Sequence, residues 1–569
     1  MKKYSISIIL LALTFAFTSC TDWLDYTPDK HQDIDDYFYD DANAEAAVVG
    51  IYATIFSDSD EGFSRGFMYE IAGGSDDMIY GRSRGDDFLR MTDFTYNGRE
   101  SAVPGFNNNL NQSIVNANSL IAIISKMSNR SAVLNRSLGE AYFMRAFCHF
   151  FWAYRYGRYD QGVPFDRYED YEYYTPQSPE QRESVMKNYE LIIEDLQKAA
   201  DLLPFFEEYT GKDYGRAHKA ACWAYMVKVY AYWAQHDKSK WELIPPLVDK
   251  IRDEGKRALL PDFYDVFTIA NNWSSEYIWS INCSAATNAG CYITCVFLVN
   301  QGWGKINGWG YFKPTLELRN AFVDGDKRRK VTMLEYGDVF KYFGVDTCIF
   351  TSGANDESGF MIAKYLDPYR DAPEGNSAFP PHVSPNRDGF TDFNIPLFRY
   401  AEALLFKAEA LIHLGENGKA AQVLNEIRQR AGLSLLATAT KEDLMRERRC
   451  ELAGEYADRF MDLKRWGKSQ APNASEDWGG HNILRQPKHV RHYYNAGCTS
   501  STTGLTEEDT DCNRGARENP YNPWVPIEVT WEAKAENRKN FNSDVHIVMP
   551  YHPDDVVQSA GKLKQNPGY

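Results

Sequence analysis

The sequence lacks several features that would indicate a catalyst or a nucleic-acid binder. Nothing matches the G-x-x-x-x-G-K-[ST] loop that holds nucleotide phosphates or the H-E-x-x-H helix of zinc proteases. The formal charge is −17, with 62 Lys and Arg against 79 Asp and Glu, which disfavours a nucleic-acid partner. The closely spaced Cys283, Cys291 and Cys295 lack the C-x-x-C spacing of zinc sites. We therefore predict no cofactor, no structural metal and no nucleic-acid partner.

A long hydrophobic run is also missing beyond the first residues. The apolar stretch from Ile6 to Phe17 falls short of the roughly 20 residues that a membrane-spanning helix needs. It follows two lysines, a start typical of a signal peptide, and we predict that residues 1–19 are one. Thr18 and Ser19 before Cys20 resemble a lipobox, so Cys20 is the predicted lipidation site. An ordinary secretory signal with an incidental cysteine is the alternative.

Nine cysteines remain besides the predicted anchor. Cys148, Cys222 and Cys450 fall inside helical patterns, where a small buried hydrophobic side chain is the expected role. Cys498 and Cys512 flank a polar segment and can either form a disulfide in an oxidising compartment or stay free. The sequence leaves that choice open.

Helical periodicity is abundant, most clearly near the middle of the C-terminal half. Two apolar stripes, Leu397–Ile412 and Ala420–Ala431, follow three- and four-residue spacing. They predict a helical hairpin in which Gly415 and Gly418 break the first helix and Gly432 ends the second.

A third helix is predicted from Thr440, which forms a capping box with Asp443, to Gly467. It carries both charge signs at helical spacing: Arg448, Arg449, Glu451, Glu455, Asp458, Arg459, Asp462, Lys464 and Arg465. Arg and Glu three or four positions apart can pair along one face. We interpret the pattern as a structural ion network, with acid/base catalysis as the less favoured alternative.

The N-terminal half predicts further helical hairpins. Helices are expected at residues 114–127, 138–156, 185–203 and 216–235. Their many alanines permit close helix packing, as in tetratricopeptide-like stacks. The predicted fold is mostly α, a tetratricopeptide-like helical-hairpin scaffold with a few short strands. We expect residues 20–569 to form one domain, with the scaffold at about 40–260 and 397–468 and long irregular insertions at about 261–396 and 469–569.

The first insertion is rich in tryptophan and tyrosine next to glycine. The segment NQGWGKINGWGYF cannot form a regular core helix or a central strand. Sugar rings have apolar C–H faces and hydroxyl edges, so a glycan site needs exposed aromatic platforms beside amides or charged groups. The predicted ligand-binding aromatics are Trp273, Tyr292, Trp303, Trp309 and Tyr311. The amides beside them are Asn300, Gln301 and Asn307. Alternatively, these aromatics only cap the helical body. Trp279, in a strand pattern, is expected in the core.

Eight segments follow one another in an order that extends over nearly the whole chain. They include GEAYFMRAFCHFFWAYRYG, YGRAHKAACWAYMVKVYAYWA, LFRYAEALLFKAEALIHLG, RRCELAGEYADRFMDLKRWG and the terminal QNPGY. With these motifs the chain resembles the SusD/RagB family, surface glycan-binding lipoproteins of Bacteroidetes. The resemblance implies a SusD-like fold and binding of oligo- or polysaccharide without catalysis. It further implies delivery of the glycan to a SusC-like TonB-dependent transporter, on which the helical side would dock.

The resemblance also implies an outer-membrane, cell-surface location and a second set of ligand contacts. Asp22 and Asp25, just after Cys20, resemble the acidic tag that exports such lipoproteins to the surface. The region after the first helix carries ligand contacts in the family, which here implies Asp76, Asp77, Tyr80, Arg82, Phe106 and Asn107. Phe106 stands where family members often have tryptophan, which puts its stacking role in doubt. The alternative is a solvated turn.

Three other functions compete with glycan capture. A hydrolase needs two carboxyl groups about 5–9.5 Å apart, whereas the adjacent Asp76 and Asp77 would point to opposite sides of an extended segment. A pure interaction scaffold is compatible with helical hairpins, and burial of the Trp303, Trp309 and Tyr311 cluster would favour it. A non-glycan nutrient such as a peptide is the third alternative.

Overall fold

The computed structural model describes residues 40–56, 74–80, 90–100, 102–170, 180–290, 293–298, 308–335, 337–350, 358–385, 389–456, 459–495, 524–530 and 540–569. The fold is mostly α-helical, with short strands between the helices. None of the helices in these ranges is both long and apolar enough to cross a bilayer.

The N-terminal half is a stack of antiparallel helices. It comprises α1 (Asp41–Phe56), α2 (Ala102–Ile124), α3 (Ala132–Tyr156), α4 (Val185–Leu202), α5 (Lys219–Ala234) and α6 (Ile244–Asp253). Consecutive helices from α2 to α6 pack on one another, and α1 packs on α2 and α3. Ser131 and Ser184 cap α3 and α4 by accepting backbone N–H groups. Helix α3 is buried on nearly all sides, as its aromatic composition predicts.

The C-terminal half contributes further helices to this stack. The long ones are α10 (Tyr400–His413), α11 (Asn417–Ala431), α12 (Lys441–Leu452) and α13 (Arg459–Arg465). Helix α10 packs on α5 and α6 and so joins the two halves. Gly432 ends α11 in the left-handed conformation, and Thr440 and Asp443 form the predicted capping box of α12. Short helices are α7 (Ile293–Phe297), α8 (Leu316–Ala321), α9 (Arg328–Thr332), α14 (Gly480–Leu484) and α15 (Pro553–Gln558).

The strands are short and form two-stranded antiparallel sheets. They are β1 (Met78–Tyr80), β2 (Tyr277–Ile281), β3 (Phe312–Pro314), β4 (Met333–Glu335), β5 (Val339–Tyr342), β6 (Val345–Ile349), β7 (Phe360–Ile362), β8 (Ile395–Arg399), β9 (His489–Asn495) and β10 (Trp524–Thr530). The pairs are β1–β3, β2–β8, β4–β7, β5–β6 and β9–β10. Trp279 of β2 is buried against Phe143 and Phe147 of α3, which confirms its predicted core position.

Several predicted helix boundaries are wrong. The helices expected from residues 114 and 138 begin at Ala102 and Ala132. Leu397 lies in β8, because the segment before Tyr400 pairs with β2. Gly418 lies inside α11 and does not break a helix. The predicted third helix is two helices: α12 ends at Leu452, and Gly454 follows with a φ of 76°, which a right-handed helix cannot accommodate.

Buried ion pairs join α12 to its neighbours, so the charges have the predicted structural role, but most partners lie on other elements and not three or four positions along the helix. Arg399 at the end of β8 donates to Glu276 and Glu451 at 2.7 Å and to Glu455 at 2.6 Å. Glu451 also pairs with Arg328 and Arg430. All these side chains are almost inaccessible to solvent. Each carboxylate therefore compensates the charge of a guanidinium group that is shielded from solvent.

We expect this network to make the stability of the protein sensitive to acid. Burial raises the pKa of Glu451, but Arg430, Arg399 and Arg328 outweigh it and lower the pKa to about 2. The pKa of an unfolded glutamate is about 4.3. Ionised Glu451 therefore stabilises the folded state fully above about pH 5, and this contribution is lost as the pH falls towards about 2. Urea unfolding at successive pH values should show the decline, and it should be shallower in Glu451→Gln. An unchanged slope in that variant would contradict the assignment.

Candidate functional site

The two segments predicted to bind ligand lie side by side in the fold. Strand β1 pairs with β3, so that Tyr80 lies opposite Phe312. Thr315 extends this pairing: its backbone N–H donates to the carbonyl of Asp77 at 2.9 Å, and its Oγ1 donates to the carbonyl of Asp76 at 2.8 Å. Thr315 and Asp76 are 239 positions apart in the sequence. The resulting unit, Asp76–Tyr80 with Trp309–Thr315, is called the aromatic junction below.

Three aromatic rings form the body of the aromatic junction. The ring centroids of Tyr80 and Tyr311 are 5.9 Å apart with nearly parallel planes, and those of Trp309 and Tyr311 are 5.5 Å apart. Tyr80 and Tyr311 are buried, whereas Trp309 is half-buried. The prediction that Tyr311 offers an exposed platform is therefore wrong, because its ring packs beneath Trp309. Contact of either tyrosine with a ligand stays a prediction.

The glycines beside Trp309 have structural roles. A Cβ atom on Gly308 would lie 2.5 Å from the Cβ of Leu298, closer than two carbon atoms can pack. Gly310 has a φ of 57°, in the left-handed region that side chains disfavour. Next along the chain, the Tyr311 N–H donates to the carbonyl of Val296 at 2.9 Å. The Gly-Trp-Gly pattern thus lets the backbone turn closely against α7 while Trp309 stays partly accessible.

The paired aspartates anchor the aromatic junction to α12 and α13. The Nε of Arg449 donates to Asp77 at 2.6 Å, and its Nη2 lies 3.0 Å from an oxygen of Asp76. Arg459 holds Asp76 through two hydrogen bonds of 2.9 and 3.2 Å. Burial raises the pKa of Asp77 above its usual range, and the Asp76 carboxylate adds to this, while Arg449 opposes it. Both carboxyl groups are buried, so the solvated-turn alternative is wrong for them.

Asn107 lies in a helix and is buried, so the solvated-turn alternative is wrong for it as well. The Asn-rich segment forms the first turns of α2, and the Nδ2 of Asn107 donates to the hydroxyl of Tyr156 at 2.8 Å. The side chain is buried, so it contributes to helix packing. The backbone of Phe106 lies in the same turns, and its side chain is outside the described part of the chain.

Trp273 belongs to a different aromatic group. It is half-buried, has a φ of 60°, and packs on Tyr214 with ring centroids 5.8 Å apart. Its Nε1 donates to the Oδ1 of Asn282 at 3.1 Å. Tyr214 is 38% exposed and also stacks on Phe206 at 5.2 Å. Sequence reasoning missed Tyr214, whose only signal was its place between two turn-forming residues, Asp213 and Gly215.

Several predicted residues lie outside the described ranges. They are Cys20, Arg82, Tyr292, Asn300, Gln301, Trp303, Asn307, Cys498 and Cys512. Cys148, Cys222 and Cys450 are buried free thiols, as predicted.

Family comparisons match both halves of the chain. A sequence model described as the SusD family matches residues 271–569, more than half of the protein. The chain belongs to the SusD family. A second model, described as "Starch-binding associating with outer membrane", matches residues 22–231 of this SusD-family protein. The resemblance seen in the motifs is thereby confirmed.

Individual relatives of this SusD-family chain are distant in sequence. A SusD-like protein of Bacteroides ovatus is 24% identical over 496 residues, 82% of this chain and 83% of that relative. The crystal structure of a SusD-like protein from Bacteroides fragilis has a TM-score of 0.71 at 19% identity, covering 94% of this chain and 98% of the other. Surface glycan-binding protein A of Bacteroides thetaiotaomicron, solved with laminarihexaose, has a TM-score of 0.62 at 19% identity, covering 92% and 99%. These structures share the fold.

Proposed function

We propose that this SusD-family protein captures oligo- or polysaccharide without catalysis and delivers it to a SusC-like TonB-dependent transporter. The observation that carries the proposal is the β1–β3 pairing, which joins two separately predicted ligand segments into one aromatic junction. Related structures bear the printed descriptions of a laminarin-binding protein and of a glycan-binding protein with laminarihexaose. Those descriptions support a glycan as the ligand class here.

Binding at the aromatic junction would rest on stacking. Trp309 is half-buried on Tyr311, so one part of its ring is held by packing and another part faces solvent. A ring fixed in this way loses little conformational entropy when a sugar stacks on it. Sugar hydroxyls exchange water for protein partners with little net gain, so the affinity for a short glycan should be modest.

The carboxyl groups near the junction are poorly suited to catalysis. A glycosidase acid or nucleophile must reach the substrate. Asp76 and Asp77 instead direct oxygens at Arg449 and Arg459 and are buried. Their arrangement supports a structural role, and with it capture as the function.

The proposed location rests on the N-terminal predictions and on the family. We propose that residues 1–19 are removed, that Cys20 is lipidated, and that residues 20–569 act as one domain on the outer face of the outer membrane. The helical side would contact the transporter, and the side with irregular segments would hold the glycan. The family description of association with the outer membrane supports this location.

The test is isothermal titration of residues 21–569 with a panel of plant, host and microbial polysaccharides. Trp309→Ala and Trp303→Ala should each weaken binding to one glycan class at least about tenfold, equivalent to 1.4 kcal/mol, with the far-UV CD spectrum unchanged. Trp273→Ala tests the predicted ligand role of the tryptophan in the separate Tyr214 group. If glycan binding depends on Trp273 alone, the binding site lies in the Tyr214 group and not at the aromatic junction.

A scaffold role gains support from one observation, the burial of Tyr311. If no polysaccharide binds, or if neither Trp309→Ala nor Trp303→Ala weakens binding, glycan capture at the aromatic junction is wrong. Titration with peptides then separates a non-glycan nutrient from a pure scaffold.

A further inference from the structure

A small pocket lies where α3, α5 and α13 end, next to Tyr189 of α4 and residues 547–548. Its volume is about 50 Å³, whereas sites for drug-sized ligands span about 300–1,000 Å³. Such a pocket is too small for a sugar chain but has room for a few water-sized groups. None of its lining residues belongs to the aromatic junction or to the Tyr214 group. The pocket is therefore a separate candidate site for a small ligand.

Two cations of the lining can accept a further partner. Lys468 is exposed, and its ammonium group forms no hydrogen bond or ion pair among the described residues. The Nε of Arg158 donates to Asp160 at 3.2 Å and its Nη1 to the carbonyl of Asp544 at 3.0 Å, which leaves Nη2 for another acceptor. Asp160 is the one carboxylate among the described lining residues, and it already pairs with Arg158. The pocket therefore offers a ligand more positive than negative charge.

Two other cations of the lining are committed elsewhere. Arg465 pairs with Glu409 and Asp462. Lys464 is 4% exposed, with its ammonium group 4.1 Å from the centre of the Phe460 ring. Binding must therefore rest on the more accessible groups.

Two neutral side chains add hydrogen-bond donors. The hydroxyl of Tyr189 has no partner among the described residues and is not fully buried. Burial lowers the pKa of His236 to about 4, so this ring is neutral at pH 7. Its Nδ1 lies 3.0 Å from the Oγ of Ser469, which also accepts the N–H of Ala471 at 3.2 Å. With the Ser469 hydroxyl donating to Nδ1, the ring carries its proton on Nε2 as a donor.

A small pocket rich in cations and donors fits an oxyanion, whose oxygens accept hydrogen bonds and gain strength from charged donors. We propose that this pocket binds a small free oxyanion, such as phosphate, sulfate or a short carboxylate. The groups that hold the ion are Lys468, Arg158, Tyr189 and His236. This site goes beyond the capture of glycan at the aromatic junction and does not require it.

Cations also accumulate where helices end, because helix C-termini carry partial negative charge. The end of α5 is already served by other donors: the Ser475 hydroxyl donates to the carbonyl of Ala234 at 2.6 Å, and its backbone N–H donates to that of Gln235 at 3.3 Å. Lys468 donates to no helix carbonyl among the described residues. Its position is therefore better explained by a ligand than by a helix end.

The test is NMR line broadening of two probe ions, inorganic phosphate and carbon-13-labelled acetate, by residues 21–569 at pH 7. Broadening reports the fraction of ion that is bound, also when binding is weak. We expect saturable broadening of at least one ion. An excess of sulfate should reverse it, whereas chloride at the same ionic strength should not. The polysaccharide titration is a separate readout, so failure at this pocket is distinguishable from failure at the aromatic junction.

Two variants and a control locate the bound ion. Lys468→Met removes an exposed charge and should weaken binding at least about tenfold, the loss expected for a charged hydrogen bond. Tyr189→Phe keeps the ring, removes only the hydroxyl, and should weaken binding about threefold. Neither leaves a protein group without its partner, so both should fold. Lys238→Met is the matched control, an exposed lysine outside the lining, and should leave binding unchanged.

Two results would overturn the proposal. One is the absence of saturable broadening for both ions. The other is broadening that Lys468→Met and Tyr189→Phe leave unchanged, or that Lys238→Met reduces as much as Lys468→Met does. If no ion binds and Lys468→Met lowers the free energy of unfolding, the lysine serves the end of α13 instead.

Discussion

Replacing Glu451 by glutamine lowers the free energy of unfolding by about 3–5 kcal/mol, the range typical of a buried ion pair that loses one partner. The glutamate is 0% exposed and contacts three guanidinium groups, those of Arg328, Arg399 and Arg430. Glutamine keeps the shape of the side chain but removes the charge. The three arginines then repel one another with one carboxylate fewer to compensate them. Urea unfolding followed by circular dichroism measures the loss.

A control for this prediction lies on the same helix. Glu442 belongs to the first turn of α12 and is exposed. Glu442→Gln should change the free energy of unfolding by no more than about 0.5 kcal/mol. If Glu451→Gln costs as little as the control, the network relaxes around the substitution and does not hold the β8–α12 contact.

Arg449→Met should both destabilise the protein by about 3 kcal/mol or more and loosen the aromatic junction. The substitution leaves Asp77, which is 2% exposed, without the guanidinium group that compensates its charge. Asp76 and Asp77 directly precede β1, so their release frees one side of the β1–β3 pair. Under the proposed function, glycan affinity should fall together with stability. Unfolding and titration of the same preparation measure both effects.

A second substitution separates charge from packing. In Arg449→Met combined with Asp77→Leu, no uncompensated charge remains at Asp77, and we expect part of the stability to return. Arg446→Met is the control, since its side chain is 41% exposed and pairs with Asp443 on the surface of α12. That control should cost less than about 1 kcal/mol. A double variant no more stable than Arg449→Met would contradict the role of the buried charge.

Local chemistry explains which parts of the fold could be predicted. Thr440 with Asp443, and Gly432 after α11, act through hydrogen bonds and backbone angles within a few residues, and both are in the structure as predicted. The helix predicted from residue 114 instead begins at Ala102 and includes an Asn-rich segment, although asparagine has low helix propensity. There the buried contacts of Asn107 and Leu110 override local preference.

The same distinction holds for the candidate site. The Gly-Trp-Gly pattern around Trp309 and the polar segment at Asp76 were both visible as candidates in the sequence. Their pairing through β1 and β3 was not visible, because no local pattern relates residues 239 positions apart. Neither was the partner of Asp77, since Arg449 lies on a helix whose charges can pair in many ways.

The sequence by itself determined the helical scaffold, the family and the residue types available for binding, because periodicity, caps and motifs are properties of neighbouring residues. Only the tertiary structure decided which of these residues face solvent. Tyr80 and Tyr311 are buried against each other, Tyr311 also packs on Trp309, and Asp76 and Asp77 pair with Arg459 of α13 and Arg449 of α12. Burial depends on what packs across a side chain, and that is set by long-range contacts that a linear pattern does not contain.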